Sequence, residues 1–215
     1  MATKVQVYRG EKITTRFDPK RCMHAGDCVR AFPKVFKPDS RGGWIFPDNE
    51  PDAAALAAMV VTCPSGALTY EMNGIEHLGE KPEINHVTVM PDGASYVHAE
   101  MMINGEVQPT YRAALCRCGR TSRPPYCDDS HKAAGFKHDA RDMQRSAGAS
   151  VAANGMLEII AIEDGPLMVR GGCEVRNIKG EVVAKGEELF LCRCGASENK
   201  PYCDGSHNKI GFRSK

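Results

Sequence analysis

The sequence CRCGRTSRPPYCDDSH at residues 116–131 occurs a second time, as CRCGASENKPYCDGSH, at residues 192–207. Both copies contain a Cys-x-Cys pair, a third cysteine after eight intervening residues and a histidine after three more. Thiolate and imidazole groups bind zinc and iron in proteins, and four such donors from one compact segment suit one metal centre. The repeat therefore predicts two equivalent metal centres.

The donors of each copy are predicted to converge on one point. An extended Cys-x-Cys turn directs two thiolates into the same space, and the third cysteine returns the chain to it. The histidine follows that cysteine at position i+4, so one helical turn places its imidazole on the same face as the thiolate. The predicted ligands are Cys116, Cys118, Cys127 and His131 in the first repeat, and Cys192, Cys194, Cys203 and His207 in the second.

Composition argues against several classes of protein. Lys and Arg number 28 and Asp and Glu 27, so the chain lacks the positive field of a protein that binds nucleic acid or an anionic membrane. Residues 1–20 alternate polar and apolar side chains without the apolar run of a signal peptide, which predicts a cytoplasmic protein. Reducing compartments keep thiols free, so the ten cysteines favour metal binding over disulfides.

The sequence around each copy follows the same order. An Asp-Gly turn, at residues 92–93 and again at 164–165, lies between β-rich runs such as residues 86–90 and 157–162. Each repeat is therefore predicted to form strands first and a cysteine loop afterwards. The stretch 141–154 is rich in Ser, Ala and Gly and is predicted to be a linker, which gives domains at residues 81–147 and 148–215.

Residues 1–80 resemble neither repeat and are predicted to form a separate α+β domain. Strand-like runs occupy residues 5–8 and 13–17. A helix is predicted over residues 52–62, with Asp52 as its N-cap, and it ends before a Cys-Pro pair. Three cysteines, Cys22, Cys28 and Cys63, form the candidate ligand set of this domain.

The repeated motif resembles that of the CDGSH iron–sulfur domain family, Cys-x-Cys-x2-Ser/Thr-x3-Pro-x-Cys-Asp-Gly-Ser/Ala/Thr-His. The second repeat matches every position, and the first has Asp129 where the family has glycine. Aspartate tolerates left-handed backbone better than most residues, so the departure is predicted to be mild. The resemblance covers residues 81–215. It implies a [2Fe-2S] cluster on three cysteines and one histidine in each repeat, and two β-rich cluster domains paired around a two-fold axis as an internal pseudo-dimer within a monomer.

Residues 1–75 resemble the single-cluster bacterial ferredoxins, and more closely their divergent relatives that precede CDGSH motifs. The likeness lies in the segment around Cys22 and in the run Cys63-Pro64-Ser65-Gly66-Ala67-Leu68. Ala25 stands where four-cysteine ferredoxins have another ligand. Three thiolates suit a [3Fe-4S] cluster, whereas a [4Fe-4S] cluster would need His24, water or an exogenous ligand. The alternative role for His24 is a hydrogen-bonding loop residue.

Two alternatives apply to the repeated sites. Three cysteines and a histidine would also form a closed zinc site, although the Cys-x-Cys start differs from the usual zinc knuckle. Arg117 and Arg193, each between two ligand cysteines, place positive charge beside a cluster or are solvated surface residues. With iron, a neutral imidazole in place of a thiolate predicts easier reduction than at an all-cysteine site, a pH-dependent potential and an acid-labile cluster.

The function predicted from these patterns is electron transfer through three clusters, with another protein as redox partner. Redox or pH sensing, donation of clusters to apo-proteins, and a role as the electron-accepting module of a larger oxidoreductase are the alternatives. The sequence contains no nucleophile–base pair, phosphate loop or nucleotide fingerprint, so no enzymatic activity is predicted. Cys173 lies outside every ligand set and is predicted to be a buried free thiol.

Overall fold

The computed structural model describes residues 4–38, 40, 43–141, 143 and 154–214. The chain forms two compact units, Met1–Glu80 and Lys81–Lys215. Both contain strands and helices, and strands predominate in the second. The domain boundary predicted at residue 148 lies outside the described residues. Within the part of the chain that is described, no helix combines the length and apolarity needed to cross a membrane.

The first unit is built on a four-stranded antiparallel sheet in the order β1-β2-β3-β4. Its core consists of side chains from the sheet, from the helix α2 and from the loop before it, among them Phe36, Leu56 and Val60, each at most 1% exposed. The elements are β1 (Gln6–Arg9), β2 (Thr14–Phe17), α1 (Asp27–Ala31), a 3-10 turn (Pro47–Asn49), α2 (Ala53–Val60), β3 (Leu68–Met72) and β4 (Ile75–His77).

Helix α2 confirms the helix predicted over residues 52–62, with slightly shorter bounds. The Asp52 carboxylate accepts hydrogen bonds from the backbone N–H groups of Ala54 at 3.0 Å and Ala55 at 3.1 Å. Such a cap contributes about 1 kcal/mol to helix stability. The helix ends at Val60, and the turn that follows leads into Cys63. Strands β1 and β2 confirm the two strands predicted at the start of the chain.

The second unit contains an eight-stranded sheet in the order β8-β7-β10-β11-β5-β6-β9, with β12 paired to β11. The strands of the first repeat are β5 (His86–Val89), β6 (Ser95–His98), β7 (Met101–Ile103), β8 (Glu106–Val107) and β9 (Arg112–Leu115). Those of the second are β10 (Leu157–Ala161), β11 (Leu167–Arg176) and β12 (Val182–Leu191). Two short helices, α3 (Ser130–Ala133) and α4 (Ser206–Lys209), each follow a cysteine loop.

Within this sheet, two strands of the first repeat each pair with a strand of the second repeat. Strand β7 of the first repeat pairs in parallel with β10 of the second, with Met102 opposite Glu158. Strand β11 of the second repeat pairs in parallel with β5 of the first, with Glu174 opposite His86. The two registers are equivalent, because the same sequence offset relates His86 to Glu158 and Met102 to Glu174. Each repeat thus completes the sheet of the other.

One hydrophobic core lies under both repeats. It contains Val87, Val97 and Leu115 from the first repeat and Leu157 and Leu191 from the second, all at most 2% exposed. A repeat of this length would bury only a small share of its surface if it folded alone, so its stability would be marginal. Sharing one core is therefore how these short repeats reach stability. The same core includes Cys173, as predicted, and burial raises the pKa of its thiol to about 12.

Candidate metal centres

The first cysteine loop is closed by backbone hydrogen bonds at the end of β9. Leu115 pairs with Tyr126, the N–H of Cys116 donates to the carbonyl of Pro125 at 2.8 Å, and the N–H of Cys127 donates to that of Ala114 at 2.9 Å. These bonds hold Cys116 and Cys127 on neighbouring stretches of chain. The single turn of α3 then carries His131, as its i+4 spacing from Cys127 predicts.

The four donors of the first loop come together as two close pairs. The Sγ atoms of Cys116 and Cys118 are 3.6 Å apart, and Cys127 Sγ is 3.4 Å from Nδ1 of His131. Two thiolates bound to one tetrahedral metal at about 2.3 Å would lie about 3.8 Å apart, so each pair has the spacing of two donors on one metal. All four donors are buried, with at most 8% of each residue exposed.

The backbone of the second loop closes in the same way at the end of β12. Cys192 N–H donates to Pro201 and Cys203 N–H donates to Phe190, both at 2.8 Å, and the Sγ atoms of Cys192 and Cys194 are 3.9 Å apart. Nδ1 of His207 lies 2.9 Å from the carbonyl oxygen of Asp164. Binding of a metal by this nitrogen would therefore require that contact to break. Cys194, Cys203 and His207 are only partly buried, which makes this site more open than the first.

The aspartate before each helical turn has a structural role that the sequence patterns did not reveal. Asp128 accepts hydrogen bonds from the N–H groups of Ser122 at 2.8 Å and Ser130 at 3.1 Å. Asp204 accepts in the same way from Glu198 at 2.8 Å and from a serine at the start of α4. Hydrogen bonds hold the pKa of the Asp204 carboxyl well below its usual range. Each aspartate therefore ties the loop to the turn that carries the histidine.

Arg117 and Arg193 are buried, with 3% and 4% exposed, so the solvated-surface interpretation was wrong. The Nε atom of Arg117 donates to the carbonyl of Gly93 at 2.9 Å, and that of Arg193 donates to Gly165 at 2.9 Å. The two Asp-Gly turns predicted from the sequence thus provide acceptors for these arginines. Burial lowers the pKa of Arg117 to about 10, an effect opposed first by Cys192 and then by Cys116.

The two cysteine loops lie directly against each other. A Cβ atom on Gly119 would come within 2.9 Å of the carbonyl oxygen of Cys194, and one on Gly195 within 3.1 Å of the carbonyl oxygen of Cys118. Both glycines have positive φ, 70° and 85°. The glycine after each Cys-x-Cys pair is therefore required both for its backbone conformation and for the contact between the loops.

The N-terminal unit places its three cysteines and His24 around one cavity of about 390 Å³. Cys28 lies on α1, while Cys22 and Cys63 lie on the loops on either side of the helices. Burial, followed by the charge of Cys63, raises the pKa of the Cys28 thiol to about 11. Trp44 also lines this cavity and packs edge-on against Phe17, with ring centroids 4.8 Å apart.

The donor geometry defines the kind of centre that these residues fit. In the part of the chain that the structure describes, no three His, Cys, Asp or Glu side chains gather around a point that a single ion could occupy. The donors of the first loop form two pairs at the spacing of one metal each, and those of the N-terminal unit surround a cavity. These are the features of an iron–sulfur protein.

The comparisons with known proteins agree with this class. A family model described as "Iron-binding zinc finger CDGSH type" matches residues 81–132 and 164–208, and one described as "Divergent 4Fe-4S mono-cluster" matches residues 8–73. The chain therefore contains two CDGSH-type segments and, towards its N-terminus, a divergent mono-cluster segment. Two relatives, both called "Uncharacterized protein YjdI", come from Escherichia coli strain K12 and Escherichia coli O157:H7. Each is 48% identical over 63 residues, 29% of this chain and 80% of the relative.

Proposed function

We propose that this protein carries electrons between protein partners through three iron–sulfur clusters. Two [2Fe-2S] clusters are held by the donors of the two loops, and a third cluster is held in the N-terminal unit. The observation that carries the proposal is that the donors of the first loop form two pairs, 3.6 Å and 3.4 Å apart, while among the described residues no three donors gather around one point. This arrangement suits two irons rather than one zinc ion.

The second part of the proposal is that residues 81–215 form an internal pseudo-dimer. The reciprocal parallel pairing of β7 with β10 and of β5 with β11 supports it. The contact of Gly119 with Cys194 and of Gly195 with Cys118 supports it from the loops. Two clusters on such loops are neighbours, and the buried Arg117 feels the charge of Cys192 in the other loop. Adding an electron to one cluster therefore affects the other.

For the N-terminal unit we propose a cuboidal cluster bound by Cys22, Cys28 and Cys63. Three thiolates satisfy a [3Fe-4S] cluster, whereas the description of the matching family names a four-iron cluster. The cavity extends to His24, which is exposed and has a φ of 57°. Addition of ferrous ion under reducing conditions distinguishes the two forms, because only a three-iron cluster takes up a further iron.

Donation of a cluster to an apo-protein is the second candidate function, and the openness of the second loop favours it. Cys194 and Cys203 are partly exposed, while the first loop buries all of its donors. An acceptor protein has to reach cluster or ligand atoms to take the cluster over, and of the two loops the second offers such access. A carrier keeps its clusters through repeated redox cycles, whereas a donor loses them to the acceptor.

Iron, zinc and acid-labile sulfide content of anaerobically purified protein tests the proposal, together with electron paramagnetic resonance of the oxidised and reduced forms. About seven iron and eight sulfide per chain support two [2Fe-2S] clusters and one [3Fe-4S] cluster, and about eight of each support a [4Fe-4S] cluster in the N-terminal unit. Zinc without sulfide would overturn the electron-transfer function.

A further inference from the structure

The five-residue segments that end in the ligand histidine, residues 127–131 and 203–207, differ at one position. Asp129 in the first motif stands where the second has Gly205. Both residues have left-handed backbone, with φ of 75° and 82° and ψ near 0°, so the substitution leaves the turn unchanged. What differs is the side chain: the first site has a carboxylate that the second site lacks.

The Asp129 carboxylate faces the ligand histidine on the side away from the other donors. Its Oδ1 atom lies 3.3 Å from Nε2 of His131, while Nδ1 of the same ring is 3.4 Å from the sulfur of Cys127. One ring nitrogen thus faces the donor set and the other faces the carboxylate. When Nδ1 binds iron, the proton resides on Nε2, directed at Asp129. A carboxylate in this position orients a metal-binding imidazole and makes it a stronger electron donor.

We propose that Asp129 is a positioning residue that lowers the reduction potential of the first [2Fe-2S] cluster relative to the second. The inference rests on the proposed function, because it requires His131 to bind a cluster. A more strongly donating ligand and an added negative charge both stabilise the oxidised cluster against the uptake of one electron. The two clusters of the chain would then differ in potential although their ligand sets are the same.

Lys132, which corresponds to Asn208 in the second motif, moderates this effect without cancelling it. Its Nζ atom lies 2.8 Å from the other oxygen of Asp129, but 67% of its side chain is exposed. Only 9% of the His131 side chain is exposed. Interactions of a solvated ammonium are weakened by water, whereas those on the buried side are screened less. The carboxylate therefore acts more strongly on the imidazole than the lysine does.

The second motif provides a reciprocal test. A Cβ atom added to Gly205 would meet no atom within 4 Å, so aspartate can be placed there without a clash. Asp129→Gly gives the first motif the residue of the second, and Gly205→Asp does the reverse. Asp129→Asn removes the charge and keeps a side chain of the same size. Glu106→Gln removes a charge from an exposed residue of β8 and serves as the matched control.

The experiment is a potentiometric titration of the full-length protein with dithionite, followed by visible absorption and electron paramagnetic resonance of the reduced [2Fe-2S] clusters. In the wild type we expect two distinct reduction steps. Asp129→Gly and Asp129→Asn should raise only the lower step, by about tenfold in the reduction equilibrium constant, which is about 59 mV for one electron. Gly205→Asp should lower only the upper step, and Glu106→Gln should move neither.

Three results would overturn the inference in different ways. Intact clusters with potentials unchanged in both Asp129 variants would reject the role of Asp129 and leave the proposed function standing. A shift of the upper step in these variants would show that the first cluster has the higher potential, contrary to the inference. Protein that contains no sulfide in any form would reject the proposed function and the inference together. Gly205→Asp tests the same idea independently if an Asp129 variant fails to assemble its cluster.

Discussion

Gly119 lies against the backbone of Cys194, so closely that a Cβ atom would come within 2.9 Å of the Cys194 carbonyl oxygen. Gly195 makes the equivalent approach to Cys118. Each cysteine loop is thus shaped by a candidate ligand residue of the other loop. Substitution of either glycine should consequently affect both proposed clusters.

Gly119→Ala should destabilise the protein by more than a left-handed alanine alone, for which the cost is about 1–2 kcal/mol. The additional cost comes from the clash with the neighbouring loop. Gly135→Ala is the control, because Gly135 also has positive φ, 61°, but its Cβ would meet no atom within 4 Å. Urea unfolding of the two variants measures the difference. Equal losses of stability would show that the two loops do not touch.

Arg117→Gln should lower the potentials of both proposed [2Fe-2S] clusters, by several-fold in the reduction equilibrium constant. Arg117 is buried, and the charges that act most strongly on it are those of Cys192 in the second loop and Cys116 in the first loop. Removing its positive charge disfavours the additional negative charge of the reduced state at either site. Arg120→Gln changes an exposed charge on the same loop and should have little effect. If only one of the two potentials falls, Arg117 does not act on both clusters, contrary to this prediction.

His138 should make the stability of the protein fall as the pH drops below about 6.5, the pKa of histidine in the unfolded chain. Burial, followed by the charge of Arg117, lowers the pKa of His138 to about 4 in the folded protein, and its Nδ1 lies 3.0 Å from Nη1 of that arginine. Between these pH values the unfolded chain binds more protons than the folded one, so acid favours unfolding.

Unfolding of the wild type and of His138→Gln at about pH 7.5 and about pH 6 tests this linkage. The wild type should lose more stability than the variant over this interval. The comparison removes contributions that both proteins share, including any from the ligand histidines. An equal loss in the two proteins would show that His138 is not the group responsible.

The second cluster should be lost before the first when an iron chelator is added. Cys194 and Cys203 are partly exposed, whereas Cys118 and Cys127 are at most 8% exposed. Cys203→Ser and Cys127→Ser each remove one site, which identifies the absorption and resonance signals of the other. The cluster that remains in Cys127→Ser should then decay several-fold faster than the one in Cys203→Ser. The reverse order would contradict the difference in burial.

Cys28→Ser should abolish the N-terminal cluster and leave both [2Fe-2S] clusters in place, because the two units are compact by themselves. Iron content should fall by about three or four atoms per chain. Cys173→Ser is the control, since this thiol lies in the hydrophobic core and outside all the donor sets. Loss of iron in the Cys173 variant, or none in the Cys28 variant, would require a different ligand assignment.

Much of the local structure could be predicted from the sequence. The Asp52 cap and the strand at residues 86–90 appear within one or two residues of their predicted bounds. These features depend on neighbours in the chain: a capping side chain, a β-rich run, or a residue one helical turn away. The burial of Arg117 was not predictable in the same way, because its acceptor Gly93 lies 24 residues earlier.

The sequence by itself determined the candidate donor sets, the twofold occurrence of the motif and the presence of a distinct N-terminal unit. These follow from residue type and spacing, which fix the local chemistry of a loop. Only the tertiary structure decided that β5 pairs with β11 and β7 with β10, and that Gly119 meets Cys194. The physical reason is that strand register and loop contact are set by the burial of apolar faces contributed by both repeats, a property of the assembled sheet rather than of any one segment.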